Sequence, residues 1–311
     1  MKSTRTIIYI CLILTVLNVF AFLFFACKSH SGIVTPPVTV ASGEALVYSE
    51  AYMPENITFA GEKVPLHRQD VEEAFRKELI VNSNLHSHTI QILQTAPRMF
   101  EVIEPILKKN GIPDDFKYLA VIESRLDPLA VSPAGAVGVW QFLKGTGKEH
   151  GLEINNEIDE RYHIEKSTEA AADYLKKAYE KFGSWTLAAA SYNAGRNMIL
   201  KQMDIQKESD YYDLLLGEET GRYVFRILAL KQIMNHPERY NFKVNTIYPV
   251  EKTETVEVKG AVENWADFAR EQGITYKTLK RFNPWLRKND LKNPQGHTYK
   301  IRIPKQKDLY K

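Results

Sequence analysis

Apolar residues recur at helical spacing through the stretch from residue 66 to 245, and this periodicity limits the possible folds more than any other feature. One of these stripes, which is followed by Gly183, contains Ile164, Ala171, Leu175, Ala178 and Phe182. A glycine just after the last apolar position is a common helix stop. Because amphipathic helices bury their apolar faces against one another, the sequence predicts a mainly α domain over residues 66–245.

Further stripes predict the other helices of this domain. We expect them over residues 71–79, 99–107, 185–193 and 223–234, with one more that opens at Pro113. The second is expected to begin behind Pro97. The helix that opens at Pro113 should end at Asp127, because the residue before Pro128 avoids the helical region.

The pattern changes near Tyr248. Alternating valines at 256 and 258 predict a strand, two short helical patterns follow at 265–270 and 276–282, and YKIRIP at 299–304 predicts a second strand. This order of strand, helix, helix and strand predicts a small α+β module over residues 246–311. Since the connecting segment is short, we expect the two modules to touch.

The N-terminus, residues 1–27, is typical of a targeting segment. Lys2 and Arg5 precede an apolar stretch over residues 7–26, so the chain is expected to leave the cytoplasm. That stretch is close to the roughly 20 residues that span a bilayer, so an uncleaved membrane helix is one possibility. The other is a lipid anchor, because LFFAC resembles a lipoprotein cleavage site that would leave Cys27 acylated.

Composition excludes several function classes. The formal net charge is +3 and the basic residues form no run, so nucleic acid is not an expected partner. Both cysteines, Cys11 and Cys27, precede the folded part, which excludes thiol chemistry there. His86 and His88 lack a third ligand at useful spacing, so we expect no metal site, and no cofactor is expected either. The chain is also expected to be a monomer. Residues 28–65 mix Ser, Gly, Thr and Pro and predict a linker.

One carboxylate interrupts an apolar run in the helix that opens at Pro113. Glu123 stands seven residues after Phe116 and four after Leu119, so it extends the face that these residues bury. Burial and the negative end of the helix dipole both disfavour the anion, so the pKa should rise toward that of a general acid. The alternative is that Glu123 pairs with a cation such as Arg125 and has no chemical role.

The loop after this helix, AVSPAGAVG at 130–138, consists of small residues, as required where the backbone approaches a ligand. Gln141 offers a donor and an acceptor for a sugar, and Trp140 offers a flat apolar face. Tyr192, seven residues after Trp185, lies on the inward face of its helix. Each of these side chains is also common in ordinary packing.

Five ordered motifs resemble the lytic murein transglycosylases with a goose-type lysozyme-like fold, most closely the membrane-bound type D. They are ES at 123–124, AVSPAGAVGVWQF at 130–142, DERYHIEKS at 159–167, ASYNAG at 190–195 and ET..YV at 219–224. The resemblance covers about residues 95–240, and Leu143-Lys144 departs from the usual Met-Pro. It implies that Glu123 is the catalytic acid and base. The residues that would line the sugar subsites or orient the sugar are Ser132, Gln141, Tyr192 and Asn193, and Glu219 corresponds to a further acid of the cleft.

The resemblance also implies a fold and a reaction. The fold is a mainly α, lysozyme-like (SLT) catalytic domain. The protein is expected in the periplasm, anchored to a membrane, and its expected partner is the glycan strand of peptidoglycan. The reaction cleaves the MurNAc-(β1,4)-GlcNAc bond without water and leaves a 1,6-anhydro sugar. This accounts for the lack of a second carboxylate at a fixed partner position, for which Asp127, restrained by Pro128, is a poor candidate. A hydrolytic muramidase and a non-catalytic murein-binding scaffold are the alternatives.

The C-terminal module resembles a LysM glycan-binding domain. WADFAREQGITYKTLKRFNPWL, followed by YKIRIP, fits the order of elements in that family. The usual Gly-Asp-Thr of the contact loop is replaced by GAVEN at 260–264. The sequence therefore leaves open whether this module binds glycan or braces the helical domain.

Overall fold

Ten α-helices and four β-strands make up residues 51–305, the part of the chain that the computed structural model describes. The helices are α1 Gln69–Asn84, α2 His86–Lys109, α3 Lys117–Ser124, α4 Lys144–Glu149, α5 Ile164–Phe182, α6 Trp185–Ala194, α7 Arg196–Gln206, α8 Glu218–Asn235, α9 Trp265–Glu271 and α10 Tyr276–Phe282. The strands are β1 Thr58–Phe59, β2 Glu62–Lys63, β3 Thr253–Val258 and β4 Tyr299–Pro304. The anchor expected over residues 1–27 lies outside the described range. The linker expected over residues 28–65 lies partly within it, and there residues 58–63 form β1 and β2 with Phe59 fully buried, so this part is not a linker. Within that range no helix is both long and apolar enough to cross a membrane.

Helix α8 is the centre of the helical domain, because it packs against α1, α3 and α6. Its buried apolar residues include Val224, Phe225, Ile227, Leu228, Ala229, Leu230 and Ile233. Apolar residues on most sides of its middle turns require neighbours that enclose this part of the helix. Helix α6 meets α8 through small residues, with Ala188, Ala189 and Ala190 fully buried. The mainly α domain expected from the sequence is confirmed.

Several helix boundaries differ from the predictions, among them the start of α2 and the end of α3. Helix α2 begins at His86 and runs through Pro97, whereas the sequence predicted a start behind that proline. Helix α3 ends at Ser124, where Arg125 adopts a left-handed conformation with φ 57° and donates its amide to Val121 O at 2.8 Å. The predicted end at Asp127 is therefore wrong, because the left-handed turn stops the helix first.

The C-terminal module has the predicted order of elements, β3, α9, α10 and β4. The two strands pair antiparallel, with Thr253 opposite Pro304 and Val258 opposite Tyr299. Asn264 caps α9, since its side chain accepts from Ala266 N at 2.8 Å. These elements enclose a small apolar core around Trp265, Leu279 and Ile301.

This small core includes residues of the helical domain. Val137, Ile158 and Tyr162 are buried in the same cluster as Trp265 and Trp285. The backbones also bond directly, since Asp159 N donates to Trp285 O at 2.9 Å and Arg287 N donates to Glu157 O at 2.7 Å. The expected contact between the two modules is confirmed.

Candidate active site

Glu123 is the penultimate residue of α3 and is half-buried. Tyr223 of α8 donates its hydroxyl hydrogen bond to Glu123 Oε1. Burial raises the pKa of Glu123 to about 7, although the Tyr223 hydrogen bond and the Arg226 charge act to lower it. The predicted rise in pKa is confirmed. At neutral pH this carboxyl can therefore give up a proton and later accept one.

The alternative for Glu123 is an ion pair with a cation such as Arg125, but among the described residues Glu123 forms no ion pair within 4.0 Å. In the described part of the chain, Arg125 instead places Nη1 3.4 Å from His88 Nε2. Arg125 is exposed, and its left-handed backbone turns it away from the helical course of α3. The ordinary ion-pair role is not what holds Glu123 in place.

The loop that follows α3 is held from behind by Arg161. Its Nη1 donates to Gly135 O and to Phe142 O, each at 3.1 Å, while Nη2 pairs with Asp159 at 2.7 Å. Gly138 has φ 79°, and a Cβ there would lie 2.1 Å from Arg161 O, so no larger residue fits. The DERY part of the 159–167 motif therefore shapes this loop from the side away from Glu123.

A cavity of about 520 Å³ opens beside this loop and is lined by three of the predicted site residues, Glu123, Ser132 and Gln141. Ser132 Oγ accepts from Ala136 N at 3.0 Å, so its hydroxyl proton remains to be donated. Gln141 Nε2 donates to Gly138 O at 2.8 Å, which leaves its Oε1 as an acceptor. The two side chains thus offer one donor and one acceptor next to the acid.

The other three predicted residues form a second group, since none of them lines this cavity in the described structure. Tyr192 donates its hydroxyl to Trp140 O at 2.8 Å. Asn193 Nδ2 lies 3.4 Å from Glu219 Oε1. Glu219 and Tyr192 are linked to the acid electrostatically. The charge of Glu219 helps to raise the pKa of Glu123, and the charge of Glu123 adds to the rise that burial causes in the pKa of Tyr192.

Trp140 does not offer a face to a sugar. Its side chain is fully buried, and Nε1 donates to Thr168 Oγ1 at 2.8 Å. The packing interpretation of this residue is therefore the right one, and the prediction of a stacking surface is wrong.

Three residues near Glu123 were missed, namely Tyr223, Arg226 and Glu78. Tyr223 and Arg226 lie four and seven residues after Glu219, so they share one helical face with it. This spacing from a predicted site residue was a usable signal for both. Glu78 is 1% exposed and accepts from Arg222 Nε at 2.6 Å. It occupies the face of α1 that also buries Phe75.

Two family models match the chain. Residues 101–215 match the transglycosylase SLT domain, and residues 254–307 match the soluble lytic transglycosylase C-terminal LysM-like domain. Membrane-bound lytic murein transglycosylase D of Escherichia coli (strain K12) is 31% identical over 240 residues, which are 76% of this chain and 52% of that protein. The chain spans about half the length of this curated relative.

Two solved structures are similar at lower levels. An inactive mutant of lytic transglycosylase Slt from Pseudomonas aeruginosa is 21% identical, with a TM-score of 0.39, over 45% of this chain and 24% of that one. The 70 kDa soluble lytic transglycosylase from Escherichia coli is 20% identical, with a TM-score of 0.39, over 48% and 26% of the respective chains.

Proposed function

We propose that this chain, which carries an SLT transglycosylase domain and a LysM-like C-terminal domain, is a peptidoglycan lytic transglycosylase. It would cleave the MurNAc-(β1,4)-GlcNAc bond and leave 1,6-anhydro-MurNAc ends, and so remodel the cell wall. The observation that carries the proposal is Glu123, a carboxyl with a pKa of about 7 that Tyr223 holds on the wall of an open cavity.

Glu123 acts twice in this reaction. Protonated Glu123 first donates its proton to the glycosidic oxygen, and the bond between that oxygen and C1 of MurNAc breaks while the N-acetyl group supports the positive charge. The Glu123 carboxylate then removes the proton of the 6-hydroxyl, whose oxygen bonds to C1. No water is consumed, and Glu123 is left protonated for the next cycle.

The carboxylates around Glu123 favour this route over hydrolysis. A hydrolytic glycosidase normally uses two acids that flank the bond. Among the described residues that line the cavity, the other carboxylate is Glu78, which is buried and paired with Arg222. Asp127 Oδ1 accepts from Leu129 N at 2.8 Å, so it stabilises a turn. Glu78 Oε2 has no hydrogen-bond partner among the described residues, but it is buried away from solvent, so neither acid is placed to activate a water molecule.

The remaining predicted residues take supporting roles in the proposal. Ser132 and Gln141 would bind sugar hydroxyl and acetamido groups through the donor and acceptor left open by the loop. Tyr192, Asn193 and Glu219 would support one side of the cleft. The contact between Asn193 and Glu219 holds α6 against the start of α8, and Thr220 Oγ1 adds a hydrogen bond to Asn193 Oδ1 at 2.8 Å.

The place of action follows from the N-terminal sequence. We propose that the enzyme works as a monomer in the periplasm, with residues 1–27 holding it to a membrane either as an uncleaved helix or through acylated Cys27. The murein transglycosylase D of Escherichia coli is likewise described as membrane-bound.

Mass spectrometry of digested sacculi tests the proposed function. A lytic transglycosylase releases anhydro-muropeptides, a muramidase releases reducing-end muropeptides one water heavier, and a non-catalytic scaffold releases neither. We expect the anhydro products. Reducing ends alone would replace the proposal with the muramidase, and the lack of any digestion would favour the scaffold.

A further inference from the structure

Three arginines line the cavity that contains Glu123, and they differ in how far they are neutralised. Arg222 is paired twice, with Glu78 at 2.6 Å and with Glu218 at 3.3 Å. Arg125 is exposed and, in the described part of the chain, forms no ion pair within 4.0 Å. The third, Arg226, lies between these extremes. The described lining of this cavity contains these three arginines and two carboxylates, Glu78 and Glu123, so the wall is cationic on balance.

Arg226 lacks partners for a side chain so close to the centre of the site. Its Nη2 donates to Glu219 O at 3.3 Å and lies 4.0 Å from the Glu219 carboxylate. Its Nε is buried and has no hydrogen-bond partner in the described structure. A buried donor without an acceptor is unfavourable, and such groups in folded proteins need an explanation. A ligand in the cavity can reach the terminal nitrogens instead, because the Arg226 side chain is 31% exposed and lines the cavity.

The position of Arg226 restricts which part of a ligand it can reach. Its guanidinium lies 5.9 Å from the centroid of the Tyr223 ring, and Tyr223 is bonded to Glu123. Because Glu123 must contact the scissile oxygen, a group bound by Arg226 has to lie close to the bond that is cut. The planar donors of an arginine match a carboxylate in particular.

We propose that Arg226 binds a carboxylate on the muramoyl side of the scissile bond and thereby selects strands that carry one. The inference rests on the proposed function. MurNAc differs from GlcNAc by a lactyl ether whose carboxyl is free on a peptide-free strand. When a stem peptide is attached, that carboxyl is an amide, and the nearest carboxylate belongs to the stem. Arg125 adds to the attractive field from the rim of the cavity.

Binding measured without turnover tests this selection. The full-length chain in detergent is prepared as Glu123→Gln, alone and combined with Arg226→Gln, and titrated calorimetrically with peptide-free strand fragments, peptide-bearing fragments and chitotetraose. Arg226→Gln should weaken binding of a carboxylate-bearing fragment by about 10-fold to 100-fold, as expected for loss of a charge-assisted pair. Chitotetraose, which has no carboxylate, should bind unchanged.

Arg196→Gln in the same background is the matched control. Arg196 also pairs with one carboxylate, Glu149 at 3.0 Å, but lies outside the lining of this cavity, so all three ligands should bind as before. Arg226→Lys keeps the charge and loses the planar donors, so it should give a smaller loss on the same fragment. This variant serves as the test if Arg226→Gln fails to fold.

The ligand that shows the loss identifies the carboxylate. A loss confined to peptide-free fragments assigns the lactyl group, and a loss confined to peptide-bearing fragments assigns the stem, and both support the inference. An equal loss on chitotetraose, or no loss on either carboxylate-bearing fragment, overturns it. Absence of anhydro products from the wild-type chain would defeat the proposed function instead, and the binding result would still decide the role of Arg226.

Discussion

At the scale of single residues, the chemistry depends on how Glu123 and Tyr223 share a hydrogen bond. Burial and the neighbouring Glu123 raise the pKa of Tyr223 well above its ordinary value, so Tyr223 keeps its proton and always donates. That donation stabilises the carboxylate form of Glu123, while burial stabilises the protonated form. The balance leaves Glu123 able to serve as acid and then as base near neutral pH.

Tyr223→Phe should shift the pH dependence of the reaction upward. The lost hydrogen bond lowers the pKa of Glu123 in the wild type, so its removal raises that pKa further above about 7. Because the first step needs the protonated acid, kcat/KM falls as pH rises through this pKa, and the fall should move to higher pH. The measurement is the rate of anhydro-muropeptide release between acid and alkaline pH.

A matched tyrosine gives the control for this shift. Tyr240 donates its hydroxyl to Tyr52 O at 2.8 Å and is not among the described residues lining the cavity, so Tyr240→Phe should leave the pH profile unchanged. An unmoved or lowered midpoint in Tyr223→Phe would contradict the role given to this hydrogen bond.

The inward direction of Glu123 followed from its spacing behind Phe116 and Leu119, and the rise in pKa followed from that direction. Its partner could not be deduced in the same way, because Tyr223 is 100 residues away in the chain and meets Glu123 only when α3 packs on α8. The prediction of a sugar-stacking surface at Trp140 is wrong for a different reason. An apolar position in a loop is equally compatible with the core and with a ligand surface, and the sequence alone does not distinguish them.

At the scale of elements, the apolar periodicity and the glycine and proline stops predicted eight of the ten described helices but missed α4 and α7. Two misplaced helix boundaries lie where the backbone departs from local rules. Arg125 and Leu126 have φ 57° and 63°, a region that residues other than glycine seldom adopt, so no sequence signal announced the early end of α3. Pro97 lies inside α2 although prolines usually break helices. Three residues before Pro97, Gln94 O accepts a hydrogen bond from Tyr248 N at 2.9 Å. A backbone carbonyl near the proline therefore has a partner outside α2.

The hairpin of β1 and β2 stabilises the helix that carries Tyr192 and Asn193. Glu62 of β2 accepts from Trp185 N at 2.6 Å and from Thr186 N at 2.9 Å, so it caps the first turn of α6. Glu62→Ala should lower the free energy of unfolding by about 1–3 kcal/mol, since buried donors lose a charged acceptor. Urea denaturation measures the change.

Lys63 supplies the control for this prediction, because it is the exposed neighbour of Glu62 on the same strand. Lys63→Ala should alter stability by less than about 0.5 kcal/mol. Equal effects of the two substitutions would mean that Glu62 does not stabilise α6 through its capping contacts.

At the scale of the whole molecule, the C-terminal module is joined to the helical domain by a shared core. Val137, Ile158 and Tyr162 are buried against the module, and Arg302 pairs with Glu165 at 3.0 Å. The segment after α10 bonds to the backbone of the helical domain at Glu157 and Asp159. Together with the missing Gly-Asp-Thr loop, these contacts favour a brace over an independent glycan binder.

Deleting residues 246–311 should therefore lower the Tm of the helical domain more than it lowers binding to sacculi. The deletion exposes the apolar side chains of Val137 and Ile158, which are buried in the intact chain. Thermal melting and sedimentation with sacculi at low and high salt compare the two effects. A truncated chain that melts at the same temperature but no longer sediments at low salt would identify the module as a true glycan binder.

Turnover of the Glu123→Gln variant tests whether Glu123 is the acid and base of the reaction, because glutamine keeps the shape and the contact with Tyr223 but has no proton to transfer. Wild type and variant digest the same sacculi, and the rate of 1,6-anhydro-muropeptide release is measured by mass spectrometry, with thermal melting to confirm that the variant is folded. We expect the rate to fall by about 10²–10⁴-fold or more in a folded protein. Release of anhydro products at a rate near that of the wild type would contradict this role of Glu123.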